Sequence, residues 1–452
     1  VKKLALILAF TSLVGVVGTG RARAEIGTID AVPAATLLLP YFEVDLLNPN
    51  AGDTVFTINN ASASAAVAHV TLWTDEGIPT FNFDVYLTGF DMQSISLRSL
   101  FDHGVVPITA DDGADPNDTS SPNDGISNQG LVSQDINFPV NNGVPAPTGP
   151  CTFNPVVLYS DPALTELELR HIRRAHTGRR SEVAKGCVSA QYDDLVARGY
   201  VTVDSITSCT IAHPTDPAYF SGIVDNRNIL WGDYTVQRPG QSASHAGPLV
   251  HIESCIPGGG YVGYVGSGAT CPFTAGDYTF YGRLNGFSGT DQREPLPTTF
   301  AARYVNDAVF NGGTDLLVWR DTKEPVTGNN ARHHCVNQET TWFPLPHREI
   351  AAFDEAEQVT ELCTGASCFP LATQRVSTTT GNAVAAPLST PYTAGWFYLN
   401  LKHDGGADLP GVAQAWVETA QSATGRFSVG FHATPLDNAL TADPGGGVFP
   451  EP

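Results

Sequence analysis

The chain has 452 residues, with 46 acidic side chains against 24 basic ones and a formal charge of −22. A surface this acidic repels phosphate backbones and anionic lipid, which argues against a general nucleic-acid or membrane-surface binder. Hydrophobic residues at 42%, among them 22 Phe, 14 Tyr and 6 Trp, suffice for packed cores and exclude a chain disordered throughout.

Residues 1–24 read as a secretory signal peptide. Lys2 and Lys3 precede a short apolar run, and Ala22-Arg23-Ala24 fits cleavage before Glu25. The run falls below the ~20 residues that span a bilayer, and no later segment is long and apolar enough to do so. Cleavage would leave 20 basic residues against 46 acidic ones, a charge of −26, with Lys185, Lys323 and Lys402 as the remaining lysines. The expected setting is secreted: extracellular, at the cell surface or in a bacterial periplasm.

Residues 25–105 carry the clearest strand signals. Runs at 36–44, 54–59, 66–74, 81–87 and 92–97 are rich in Val, Ile, Phe, Tyr and Thr and partly alternate. Pro40 marks the first run as an edge strand or a bulged one. Residues 106–150, dominated by Pro, Asn, Asp, Gly and Ser, read as a long acidic loop. The middle region, 151–295, holds the helical signals. Asp161 with Pro162 is the expected helix start and Gly178 the expected stop, and a second short helix is expected over 190–198. Short β runs and glycine turns follow. Residues 296–442 return to strands, at 316–319, 395–401, 413–419 and 426–432, the last two as a hairpin. Residues 443–452 form a tail. The fold expected is mainly β: antiparallel sandwiches, immunoglobulin-like or jelly-roll-like, with a small helical insertion around 161–198. The N- and C-terminal strand sets could build two sandwiches or complete a single one.

Eight cysteines, an even number in an exported chain, read as a disulfide framework. They are Cys151, Cys187, Cys209, Cys255, Cys271, Cys335, Cys363 and Cys368. The expected pairs are Cys363–Cys368, Cys255–Cys271 and Cys187–Cys209, with Cys151–Cys335 remaining. The loop residues Asp111, Asp112, Asp115, Asn117 and Asp118 concentrate oxygen ligands of the kind Ca²⁺ takes, although their spacing is not that of an EF-hand. The competing reading is a solvated acidic loop. Arg170, Arg173, Arg174, Arg179 and Arg180 form a basic patch. It is readable as a site for an acidic partner or as internal neutralisation of nearby carboxylates. His251, Glu253 and Cys255 alternate, and Arg332-His333-His334-Cys335 and His347 gather metal-ligand types, but without paired structural-zinc spacings. No nucleophile elbow, H-E-x-x-H or phosphate-binding loop is present. Asp354, Glu355 and Glu357 form an acidic cluster best read as a turn.

The stretch Ala35-Thr-Leu-Leu-Leu-Pro-Tyr-Phe-Glu-Val-Asp45 resembles exported bacterial proteins with no assigned activity. So do the segments Arg198-Gly-Tyr-Val-Thr-Val-Asp204, Trp231-Gly-Asp-Tyr234 and Gln414-Ala-Trp-Val417. The resemblance spans most of the chain beyond residue 24. It implies a bacterial envelope or extracellular setting and carries no activity, cofactor or site residue.

The function expected from these features is binding or assembly, as an adhesin-like, matrix or filament component. Its partners would be further copies of the chain or surface glycans and proteins. Two alternatives stand beside it: a carbohydrate-active hydrolase using paired carboxylates, and calcium-dependent ligand binding through the 111–118 loop.

Overall fold

The computed structural model describes residues 32–106, 164–255, 279–322, 344–402 and 414–437. Short breaks fall at 49, 64–65, 88, 208–209, 217, 239–242, 286–289, 308–312, 365–366 and 424–426. The 1–24 segment, the oxygen-rich loop Asp111–Asp118 and the 443–452 tail lie outside the described residues, as do Cys151, Cys209, Cys271 and Cys335.

The fold is mainly β, with antiparallel sheets and a few short helices. The first strands form where the alternating β-branched and aromatic runs predict them: β1 (Thr36–Asp45), β2 (Asp53–Asn60), β3 (Ala66–Thr74), β4 (Pro79–Leu87) and β5 (Met92–Ser96). They are followed by β6 (Val196–Ile206), β7 (Leu230–Trp231), β8 (Asp233–Arg238), β9 (Ala243–Pro248) and β10 (Val250–Ile252). The C-terminal set is β11 (Thr299–Val305), β12 (Thr314–Arg320), β13 (Glu349–Asp354), β14 (Val359–Leu362), β15 (Thr373–Ser377), β16 (Ala394–Asn400), β17 (Ala415–Ala423), β18 (Phe427–His432) and β19 (Thr434–Pro435). The expected hairpin is β17 paired with β18.

These strands build four sheets. Sheet I has the order β10-β1-β6-β3-β4 and sheet II the order β5-β2-β8-β9, with β7 also on β2. Sheet III is β15-β12-β17-β18 and sheet IV is β14-β13-β16-β11-β19. Sheets I and II share one apolar cluster, to which Leu37, Phe42, Val70, Phe83 and Val201 contribute from one side and Phe56, Ile58, Ile95 and Tyr234 from the other. Sheets III and IV share a second, with Leu316, Val318 and Val417 facing Phe300, Ile350, Phe397 and Leu399.

The period-two alternation of a strand decides what happens on the remaining faces. Leu37 and Leu39 belong to the first cluster, while Leu38 between them belongs to a third. In β12 and β17, Val318 and Val417 face the second cluster while Trp319 and Trp416 face the third. Sheets I and III therefore meet through an aromatic middle layer. There Trp73 stacks on Tyr200 at 5.5 Å, and Trp319 meets Tyr200 edge-on at 6.0 Å. Each of these two sheets is buried on both faces, which is why β1 and β3 are buried almost throughout their length.

Pro40 sits where β1 can tolerate it. Pairing with β10 covers only Thr36–Leu38, and the register with β6 shifts between Leu39 and Phe42. The missing N–H therefore falls in a bulge and removes no ladder bond.

Two helix expectations are corrected. The arginine-rich helix spans Glu166–Ala175 and is capped by Thr165. Thr165 and Glu168 form a reciprocal capping box that satisfies two free N–H groups, a stronger start than Asp161-Pro162. The helix ends at His176, ahead of Gly178. The second helix, over 190–198, does not form. Asp193 and Leu195 take positive φ angles of 59° and 53°, and Val196 already begins β6. A short helix not expected from the sequence, Leu97–His103, follows β5, with Ser96 accepting from the Ser99 N–H and Gly104 closing it at φ 67°.

Cys363 and Cys368 are disulfide-bonded, as their spacing led us to expect. Cys187 and Cys255 are also disulfide-bonded. No helix among the described residues is long and apolar enough to cross a membrane.

Candidate functional site

Beyond its bulge, β1 turns Tyr41 and Glu43 away from the first apolar cluster, towards sheet III. Glu43 lies opposite Arg198 of β6, and β15 of sheet III supplies Arg375 and Ser377. Together with Tyr192, Thr380, Gly381 and Asn382 these residues line a cleft of about 170 Å³ at the rim where sheets I and III part. Meeting places of large packed units are where small-molecule sites tend to occur.

The polar groups of the cleft are held in place from behind. Asp194 grips Arg198 at 2.8 and 2.5 Å, and the guanidinium lies 4.1 Å over the Tyr192 ring. Asp315 grips Arg375 at 2.9 and 2.7 Å, and Glu43 stands 3.7 Å from the same guanidinium. The Tyr41 hydroxyl donates to Glu43 at 2.9 Å. Burial works against the Arg198 charge, yet the Asp194 hydrogen bonds with the nearby Tyr41, Asp194 and Tyr192 hold its pKa above the ordinary value. Burial alone would raise Asp194, but its bonds to Arg198 keep it below the usual carboxylate range. Burial, then the Asp75 charge, pushes the Tyr192 phenol up. A cleft in which several ionisable groups are displaced together is a candidate functional site on physical grounds.

Two buried groups support the wall of the cleft. His176 packs between Phe42 and Phe101, its Nδ1 donates to the Arg198 carbonyl at 2.8 Å, and burial lowers its pKa to about 3. Asp75 accepts from the Ala190 N–H at 3.1 Å, and burial raises it to about 7. The two act on stability with opposite sign. Below pH 6.5 the unfolded chain protonates a histidine that the fold keeps neutral, so the His176 contribution is lost as pH falls. Between about pH 4 and 7 the folded Asp75 retains a proton that the unfolded chain has released, so its contribution is lost as pH rises. Asp75→Asn removes only the second effect. The melting temperature of this variant relative to wild type is expected to climb between pH 5 and pH 8, and a difference that stays constant would contradict the assignment.

The arginine patch is largely engaged. Arg170 and Arg174 reach Glu182 at 3.4 and 3.6 Å. Arg173 donates to the Phe101 and Asp102 carbonyls at 2.5 and 2.7 Å, across the C-terminal end of the short helix. Arg179 and Arg180 are exposed. Asp354 closes the β13–β14 turn by accepting from the Ala356 and Gln358 N–H groups at 2.9 and 2.8 Å, and Glu355 pairs with Arg303 at 2.6 Å. His251, Glu253 and Cys255 are all buried. No group of three metal-ligating side chains occurs among the described residues. A second cleft, of about 450 Å³, lies by the Cys363–Cys368 disulfide, with His347 and Glu361 in its wall. Burial, then the Arg320 charge, lowers His347 to about 4.

Sequence reasoning did not find the cleft between Arg198 and Arg375. Its parts lie near positions 41, 195 and 378, and only the three-dimensional meeting of sheets I and III joins them. Comparison with known proteins adds no relative: no family profile, curated protein or solved structure matches the chain.

Proposed function

We propose that this is an exported, envelope-associated or extracellular protein that acts by binding. In this reading sheets I and II form one sandwich and sheets III and IV another, immunoglobulin-like or jelly-roll-like, stacked through the aromatic layer. The cleft between them holds a small, hydroxyl-rich ligand, such as the end of a surface glycan. The carrying observation is the pre-arranged polar lining: Arg198 and Arg375 fixed by Asp194 and Asp315, with Tyr, Ser, Thr and Asn groups converging beside them. Fixed donors and acceptors lower the ordering cost of binding a polar ligand. Export and disulfide bonding agree with an oxidising compartment, and an adhesin-like or matrix role fits such a site. In this cleft paired-carboxylate hydrolysis finds less support, since Glu43 is the sole carboxylate among its described lining residues.

Titration calorimetry against a panel of mono- and disaccharides tests this reading. One sugar class is expected to bind, and Arg375→Gln to weaken it about tenfold or more while the circular dichroism spectrum is unchanged. An absence of heat across the panel, or equal binding by the variant, would count against it.

A further inference from the structure

A different surface, independent of the cleft, points to self-association. Among the described residues β14 is the edge of sheet IV and pairs only with β13. Its four residues, Val-Thr-Glu-Leu, are exposed or half-buried, with Val359 58% exposed. Sheet edges are commonly protected by lysine, proline or a bulge. β14 has none of these, whereas the opposite edge of the same sheet ends in the two-residue β19 with Pro435.

The hydrogen-bond phase shows which groups are presented. The Asp354 N–H donates to the Gln358 carbonyl. Alternation along an antiparallel ladder then directs the Thr360 and Leu362 backbone groups inward to β13, and those of Val359 and Glu361 outward. On the outer face, Val359 lies opposite Phe353, which stacks on Trp396 at 4.2 Å, so an apolar row runs to the edge and stops there.

We propose that β14 pairs antiparallel with β14 of a second copy, about a two-fold axis through Thr360. In this register the outward groups of Val359 meet those of Glu361 on the other copy, giving four backbone hydrogen bonds, and no acid opposes an acid. The two neighbouring registers of the same phase fail on charge. One sets Glu361 against its own counterpart, and the other sets it against Glu357. The axis brings the two Thr360 residues together, a favourable cross-strand pair, and sets each Val359 against Glu361 of the other copy. A two-fold contact of this kind closes on itself and yields a dimer. The contact is short and each chain carries a charge of −22, so the dimer is weak and is strengthened by salt.

Sedimentation velocity on the full protein, up to about 100 μM and at low and high salt, tests the proposal. A concentration-dependent dimer favoured by salt is expected. Val359→Lys places a cation opposite Glu361 twice per dimer and tightens association about two- to thirtyfold, while Val359→Asp loosens it by a similar factor. Glu361→Pro removes an outward N–H that β13 does not use, so the fold survives and the dimer is lost. A strict monomer at the highest concentration, or a dimer insensitive to all three substitutions, would overturn the proposal. A dimer that Val359→Lys weakens would overturn the register.

Discussion

Replacing Arg293 with Met is expected to cost about 3–5 kcal/mol of folding stability. Arg293 is fully buried in the middle layer. Its guanidinium donates to the Thr36 hydroxyl and, at 3.1 Å, to Asn226, and it lies 3.5 Å from Asp204 and 3.7 Å from Asp291. Asp204 is itself closed in by the hydroxyls of Thr36, Tyr219 and Tyr281 at 2.5, 2.7 and 2.9 Å. Burial opposes the Arg293 charge, but the Asp204 and Asp291 carboxylates raise its pKa above the ordinary value. For Asp291 burial outweighs the help from Arg293, and its pKa is raised. Removing the cation strands two buried carboxylates, a far larger penalty than losing one surface pair. Urea unfolding should show the loss, and the double variant Arg293→Met with Asp204→Asn should recover part of it. A loss below about 1 kcal/mol would show that water reaches this network or that the carboxylates protonate at little cost.

The second large effect is expected at Glu418, which fastens sheet II to sheet III. Glu418 is fully buried on β17. It accepts from the Tyr234 hydroxyl of β8, from His245 of β9 at 2.6 Å and from the Trp416 indole at 2.9 Å. Burial, then the Glu418 charge, raises the Tyr234 phenol well above its ordinary range, which keeps it protonated as a donor. The backbone of Gly430 on β18 lies against the His245 ring, with no space for a larger residue. Glu418→Leu takes the acceptor from Tyr234, His245 and Trp416, and the Tyr234 hydroxyl and His245 Nε2, 2.7 Å apart, can satisfy only one of these donors between them. At about 1–3 kcal/mol for each of the two donors left unsatisfied, the loss should reach about 2 kcal/mol or more. The denaturation midpoint should fall correspondingly, and the 234–248 strands should gain hydrogen exchange. Unchanged exchange in those strands would mean that the cluster does not join the two sheets.

Both clusters show why the sequence reveals some features and conceals others. The strands of 36–97 are legible because β-branched and aromatic residues alternate where one face meets an apolar cluster. The same alternation leaves Thr36, His69, Asp84 and Asp204 on the opposite faces, where their polarity suggests water. Instead they lie side by side across sheet I, all buried beneath the middle layer. Nothing in a strand's pattern announces that its polar face will be covered by another sheet. The arginines at 170–180 were legible as a cluster, but their partners emerge only from the fold: the 101–102 carbonyls from the packing of two helices, and Glu182 from the turn between Ser181 and Gly186. The cleft was least legible of all, because none of its contributing segments carries a recognisable motif. Residues 190–198 misled for a related reason. Their composition suits a helix, while Asp75 and His176, distant in sequence, bind Ala190 and Arg198 and hold the segment in an irregular approach to β6.

A binding site at the rim between sheets I and III should respond to its ligand as a unit. Hydrogen–deuterium exchange with and without a saturating sugar from the panel addresses it most directly. Protection is expected to be confined to residues 41–45, 192–198 and 375–382, and to be missing in Arg375→Gln. Protection elsewhere, with these three segments unchanged, would contradict a binding site there.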